Sequence, residues 1–239
     1  NAISWAEWRE AARADYLGWT ETPPSNPGAV QMSTLVRYLR DLPKDAIISS
    51  DIGNNCAIGN AYPTFEKGRK YLAPGLFGPC GYGFPSIIGA KIGCPDTPVI
   101  GFAGDGAFGI SMNEMTSIGR DDWPAITMVI FRNYQWGAEK RNTILWYHDN
   151  FVGTELNPNL SYAKVADGCG LKGVTVRTQA ELTSALKAGV EAQMNGETTF
   201  IEVILNQELG EPFRRDAMTT PVAVAGISAD DMRPQKSAV

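Results

Sequence analysis

Residues 101–110 read GFAGDGAFGI, and the reading of this stretch decides the fold. An apolar run of strand character stops at Gly104-Asp105-Gly106, and a helical pattern follows at once. Two readings of the tripeptide compete. Gly and Asp are the residues that tight turns need. Free N–H groups at a helix N-terminus also favour phosphate, and a carboxylate there can hold a cation.

The same strand-then-helix change recurs outward in both directions. AIISSDIG (46–53), TPVIGFA (97–103), PAITMVIFRN (124–133), GVTV (173–176) and TTFIEVIL (198–205) carry the β-branched, apolar character of buried strands. CGYGFPSIIGAKIG (80–93), residues 107–120 and SYAKVADGCG (161–170) read as helices. So does TQAELTSALKAGVEAQM (178–194), with a Thr178/Glu181 capping box and Leu182, Ala185, Leu186 and Val190 turned inward. Strands alternating with helices through short connections predict an α/β domain, a parallel sheet with helices on both faces.

Upstream, Trp5, Trp8, Ala12, Tyr16 and Trp19 recur at steps of three and four, one apolar face of a helix. That face either packs on this domain or links it to another. TETPPSNPG (20–28) stops the helix, and Asn26 and Pro27 then open a further one with Met32, Leu35, Val36 and Leu39 inward. The pattern predicts an N-terminal helix and linker over 1–24, the α/β domain over 25–210 and a polar, Pro-punctuated tail over 211–239.

At 239 residues and 44% hydrophobic content the chain can bury a full core. A net charge of −5 argues against a nucleic-acid partner. No apolar run reaches membrane-spanning length, and the first residues lack a secretory signal pattern. Cys56, Cys80, Cys94 and Cys169 form no CxxC pair, which argues against a zinc ribbon or disulfide scaffold and for a cytoplasmic setting. The start on Asn1, without a methionine, leaves a fragment, a cleaved product and a separate subunit as open readings.

Ligands of such sheets sit at the C-terminal ends of strands. Three of these ends carry polar clusters: DIGNN (51–55), GDGAF (104–108) and RNYQWG (132–137). Mg²⁺ takes about six oxygens, phosphates and waters among them. The Asp105 carboxylate, the Asn133 side-chain carbonyl and the Gln135 backbone carbonyl are candidate metal ligands, and the N–H groups of Gly106 and Ala107 could face a diphosphate. No GxGxxG follows a strand, which argues against a Rossmann dehydrogenase.

Gly104-Asp105-Gly106, twenty-six residues, then Asn133 and Gly137 resemble the signature of the thiamine-diphosphate-dependent enzymes. Members usually carry two adjacent Asn where this chain has Arg132-Asn133, so the metal-ligating Asn is kept. FGPCGYGFPSIIGAK (77–91) is similar to the family's second helix entry. The resemblance implies thiamine diphosphate and Mg²⁺ as cofactors and this chain as the diphosphate-binding domain. It places Gly53, Asn54 and Asn55 along the diphosphate, the Gly78 carbonyl at the cofactor's amino group and Cys80 beneath its bend.

NYQWGAEKRN (133–142) and ELGEPFRRDAM (208–218) resemble the branch of the family that acts on sulfoacetaldehyde and inorganic phosphate. Two anions then need cationic partners, for which Lys140, Arg141, Arg214 and Arg215 are candidates beside a reading as ordinary surface charge. The family's activating glutamate, carried on a pyrimidine-binding domain of the same or another chain, has no counterpart here, and a homo-oligomer of the full enzyme is expected. An acetolactate-synthase-like carboligase or 2-oxo-acid decarboxylase is the alternative reading. His148, the one histidine, reads as a surface residue or a proton carrier, and Trp136 as packing or as a pocket wall.

Overall fold

The computed structural model describes residues 4–20, 45–61, 70–120, 122–141 and 150–205. The expected helix after Asn26, the tail over 211–239, His148, Arg214 and Arg215 lie outside these residues. The elements in order are α1 (Trp5–Thr20), β1 (Ile47–Ser50), α2 (Asn54–Ala61), β2 (Tyr71–Leu72), α3 (Gly83–Gly93), β3 (Val99–Gly104) and α4 (Asp105–Ser111). A 3₁₀ turn at Met112–Glu114 leads to α5 (Met115–Ile118), β4 (Thr127–Arg132), α6 (Tyr162–Gly168), β5 (Lys172–Val176), α7 (Gln179–Met194) and β6 (Thr199–Ile204).

The six strands form one parallel sheet in the order β2-β1-β3-β4-β6-β5. Period-two alternation sends neighbouring residues to opposite faces. Ile48, Ile100, Phe102, Val129, Phe131 and Ile201 pack on one side with Leu182, Leu186 and Val190 of α7. Ile47, Val99, Ala103, Met128, Ile130 and Phe200 pack on the other with Phe84 and Ile87 of α3, Phe108 of α4, Met115 and Ile118 of α5, and Tyr162 of α6. Burial on both faces explains why MVIF, the middle of β4, reads as an unbroken apolar run.

Local chemistry sets the ends of the helices. Thr178 accepts from the Glu181 N–H and Glu181 returns a carboxylate to the Thr178 N–H, so the expected capping box is formed. Ser161 caps α6 by a single bond, accepting from the Lys164 N–H. Gly109, Ser111 and Asn113 are weak helix formers, and the helix expected over 107–120 is three short pieces. On α1, Trp5 and Trp8 meet edge to face at 5.8 Å and stay 80% and 56% exposed, so this part of the apolar stripe does not pack on the domain. The short β2 and α2 were not expected from the sequence.

Gln193 near the end of α7 ties the sheet together at the edge opposite the polar strand ends. Its Oε1 accepts from the Val99 N–H at 2.7 Å, and its Nε2 donates to the Val99 carbonyl at 2.8 Å and to Thr127 Oγ1 at 2.9 Å. Gln193→Ala should cost about 2–3 kcal/mol, because it orphans a buried donor and acceptor together. Urea unfolding measures this, and Gln193→Leu should not recover the loss, since an apolar side chain leaves Val99 equally unpartnered.

Candidate active site

β1 leads outward to β2, whereas β3 leads the other way to β4, so the strand order reverses between β1 and β3. A crevice opens at such a reversal beyond the carboxyl ends of the strands. At the end of β1, Asp51 is buried and accepts from the N–H groups of Ile52 at 2.8 Å, Gly81 at 3.0 Å and Gly83 at 2.7 Å. Burial pushes its carboxyl above the usual range, and these N–H groups pull it back. Asp51 thus fastens the loop before α3 to the first strand. Asn55 donates to Ser50 Oγ at 3.2 Å and to the Asp51 carbonyl at 2.7 Å, which holds the first turn of α2 against the same strand. Between them Gly53 has φ +117°, a conformation that side-chain-bearing residues rarely adopt.

At the end of β3, Asp105 is 2% exposed. Its Oδ2 accepts from the Tyr134 N–H at 2.7 Å, its Oδ1 from the Gly106 N–H at 3.1 Å, and its backbone carbonyl from the Tyr162 hydroxyl at 2.9 Å. Burial pushes the carboxyl up to about 6, against the pull of these N–H groups and of the Arg132 charge. Tyr134 is held at φ +62°, left-handed for a residue with a side chain, and this reverses the chain between Asn133 and Gln135. The Trp136 N–H donates to the Thr154 carbonyl at 2.8 Å and the Leu156 N–H to the Tyr134 carbonyl at 2.9 Å, an antiparallel bridge that braces the loop.

The loop brings three oxygens together. The Asn133 carboxamide oxygen lies 2.9 Å from the Gln135 carbonyl oxygen and 3.2 Å from Asp105 Oδ1, and turning the amide over would convert both contacts into hydrogen bonds. With the oxygen inward the three acceptors repel unless a cation lies among them. Adjacent ligands of an octahedral Mg²⁺ at 2.0–2.1 Å stand about 2.9 Å apart, so the spacing and the all-oxygen chemistry fit that ion. Among the described residues no cluster of three His, Cys, Asp or Glu side chains competes for a metal.

Gly53, Asn54, Asn55, Gly78, Cys80, Gly104, Asp105, Gly106, Ala107, Asn133, Gln135 and Gly137, the full set expected from the sequence, line one cleft. Trp136 lines it too, and a Cβ on Gly106 would stand 2.7 Å from its ring, so glycine lets the ring lie against the start of α4. Burial raises the Cys80 thiol, helped by the Glu139 and Asp51 charges. Lys140 donates to Gln135 Oε1 at 3.0 Å, pairs with Glu155 and lies over the Phe151 ring, so its charge is already balanced. Arg141 is buried.

The sequence reading passed over Asp51, Ile52 and Glu139, which line or brace the cleft, and Glu202. Glu202 is a lone acid within the apolar β6 and meets the lone base Arg132 of β4 at 2.7 Å. That pairing of solitary opposite charges in two apolar runs was the available signal.

Residues 51–203 match the family described as thiamine pyrophosphate enzyme, C-terminal TPP binding domain. A probable sulfoacetaldehyde acetyltransferase from Rhizobium meliloti is 83% identical over 195 residues, 82% of this chain and 33% of that protein. A sulfoacetaldehyde acetyltransferase from Rhodobacter capsulatus is 66% identical over 228 residues, 95% of this chain and 37% of that protein. The chain therefore spans about a third of the length of these relatives. Among solved structures, the thiamine diphosphate-dependent 4-hydroxybenzoylformate decarboxylase of Rhodococcus jostii RHA1 superposes with a TM-score of 0.71 at 25% identity, over 80% of this chain and 35% of that one.

Removing the Asp51 carboxylate should loosen the cleft before it unfolds the domain. In Asp51→Ala the N–H groups of Gly81 and Gly83 lose their acceptor, and their hydrogen exchange should quicken by about tenfold or more, the scale of one buried hydrogen bond to a charged group. Unchanged exchange at both glycines, read by mass spectrometry, would contradict the bracing role.

Proposed function

The chain belongs to the thiamine pyrophosphate enzymes as their C-terminal TPP binding domain, and from that premise we propose that it serves an enzyme converting sulfoacetaldehyde and phosphate to acetyl phosphate and sulfite. The observation that carries this reading is 66% identity across 95% of the chain to a protein named for that reaction, with the cleft residues inside the stretch.

In this proposal Asp105, Asn133 and the Gln135 carbonyl hold Mg²⁺, which the convergence of their oxygens supports. The Ala107 N–H and the first N–H groups of α2, with Gly53, Asn54 and Asn55, receive the diphosphate, because helix N-termini present donors and positive potential, while the Gly106 N–H is already engaged by Asp105 Oδ1. Gly104, Gly106, Ala107 and Gly137 line the side of the cleft where the cofactor would lie. The Gly78 carbonyl accepts from the aminopyrimidine, and Cys80 lies beneath the cofactor's bend. When bound, thiamine diphosphate supplies a nucleophilic carbon and an electron sink for the aldehyde carbon.

The reaction handles two oxyanions, a sulfonate and a phosphate. Arg214 and Arg215, and after them Lys140 and Arg141, are the cations proposed to hold them, Arg for its two-pronged match to such groups. The charge of Lys140 is already balanced by Glu155, which places it after Arg214 and Arg215. Trp136 would wall the substrate side and exclude water.

Leu76 and Phe77 are exposed beside Gly78, and Ile110 stands exposed beside Gly81. An apolar rim at a polar cleft supports a second surface closing over it. We assign that surface to a pyrimidine-binding domain, of the same or another chain, which supplies the activating glutamate within a homo-oligomer. No helix of the described residues is long and apolar enough to cross a membrane, and a cytoplasmic setting belongs to the proposal.

The full-length enzyme with thiamine diphosphate and Mg²⁺ should release sulfite from sulfoacetaldehyde only slowly until phosphate is added. Acetyl phosphate should then form in step with sulfite. Arg214→Ala and Arg215→Ala should raise the phosphate requirement, and Lys at either place should restore part of the loss. Carbon dioxide from pyruvate as the preferred reaction would move the enzyme to the carboligase branch.

A further inference from the structure

Behind the loop after β4 stands a charged network whose members, Arg132 and Glu202, do not line the cleft. Glu202 is buried on β6 with Arg132 Nη1 at 2.7 Å from Oε1. Its oxygens also accept from the Ser161 hydroxyl at 2.7 Å, the Thr175 hydroxyl at 3.2 Å and the N–H groups of Tyr162 at 3.2 Å and Ala163 at 3.4 Å. The carboxylate therefore holds both the end of β4 and the start of α6. Each arm then reaches Asp105. The Arg132 guanidinium, tied also to the Pro158 carbonyl at 3.0 Å, lies 4.5 Å from the centre of the Tyr134 ring, and the Tyr134 N–H donates to Asp105 Oδ2. On the other arm the Tyr162 hydroxyl donates to the Asp105 backbone carbonyl at 2.9 Å.

We propose that Glu202 is a positioning residue for the cation site, fixing Asp105 from two sides through Arg132–Tyr134 and through Tyr162. The proposal rests on the reading of Asp105, Asn133 and Gln135 as metal ligands. Its physical content is that the loop's left-handed residue, Tyr134, is held by the guanidinium over its ring as well as by its own backbone bonds. Arg at position 132 is thus a structural part of the site, where a short amide could not reach both Glu202 and the ring.

The test uses full-length apoenzyme with saturating thiamine diphosphate and Mn²⁺ as the probe, free Mn²⁺ being counted by electron paramagnetic resonance. Tyr162→Phe keeps the ring packing and removes one hydrogen bond, so its Mn²⁺ dissociation constant should rise by about fivefold, the scale of one net hydrogen bond. Arg132→Lys and Glu202→Gln should weaken Mn²⁺ further. In each, excess metal should restore kcat while the KM for substrate stays at the parent value. If Glu202→Gln fails to fold, Tyr162→Phe and Arg132→Lys decide. Lower melting temperatures with parent Mn²⁺ affinity would reduce the network to a scaffold and overturn the proposal. Asp105→Asn in parallel separates the two claims. Mn²⁺ bound by it as tightly as by the parent would remove the metal reading and the proposal with it, whereas lost binding there beside unchanged binding in the network variants would remove the proposal alone.

Discussion

A carboxylate buried at the end of the central strand governs this structure. Asp105 is almost wholly withdrawn from water, and a charge so placed needs compensation from fixed dipoles or from an ion. The fold offers two N–H groups to its oxygens and a hydroxyl to its carbonyl. That is not enough to return the carboxyl to its ordinary range, since it stays pushed up to about 6. The domain thus holds an acid whose ionised form is stabilised best by one more positive neighbour.

The sheet topology places this acid where a ligand can reach it. Only where the strand order reverses do two adjacent strand ends, β1 and β3, open on a crevice with no crossover covering it. Asp51 and Asp105 stand at those two ends, each buried, and they do different work. Asp51 has its N–H donors arranged within the body, so it is a brace. Asp105 faces the amide of Asn133 and the carbonyl of Gln135, delivered from the next strand by a loop that can present them only if Tyr134 turns left-handed. The cost of that turn, roughly 1–2 kcal/mol for such a residue, is offset by the bridge to residues 154–156.

Much of this was legible in the sequence because it is carried by spacing. Strand ends at 51, 104 and 132 are marked by polar residues after apolar runs, and both faces of a parallel sheet announce themselves by β-branched continuity. What escaped were features whose local sequence contradicts their structure. NNCAIGNA of α2 is poor in helix formers, and it is helical because Asn55 is bonded to β1 and Cys56 is buried. The helix over 107–120 looked continuous because apolar periodicity survives a 3₁₀ break. Glu202 was hidden inside TTFIEVIL, where an acid in a buried strand has meaning only with its partner seventy positions away. Expectations that fell on Arg214, Arg215, His148 and the tail concern residues outside the described set.

Charge accounting ties the site to its surroundings. Arg132 is close enough to Asp105 to lower its carboxyl, yet its guanidinium is paired with Glu202, so their charges nearly cancel. If Arg132 were instead turned onto Asp105, the carboxylate would be neutralised internally and a cation would have to displace a fixed positive group. By binding Arg132 from behind, Glu202 keeps Asp105 negative towards the cleft while the arginine still serves as a stay for the Tyr134 ring. A divalent cation entering that field would meet one uncompensated acid and two neutral oxygens, which leaves it enough residual charge to attract a diphosphate.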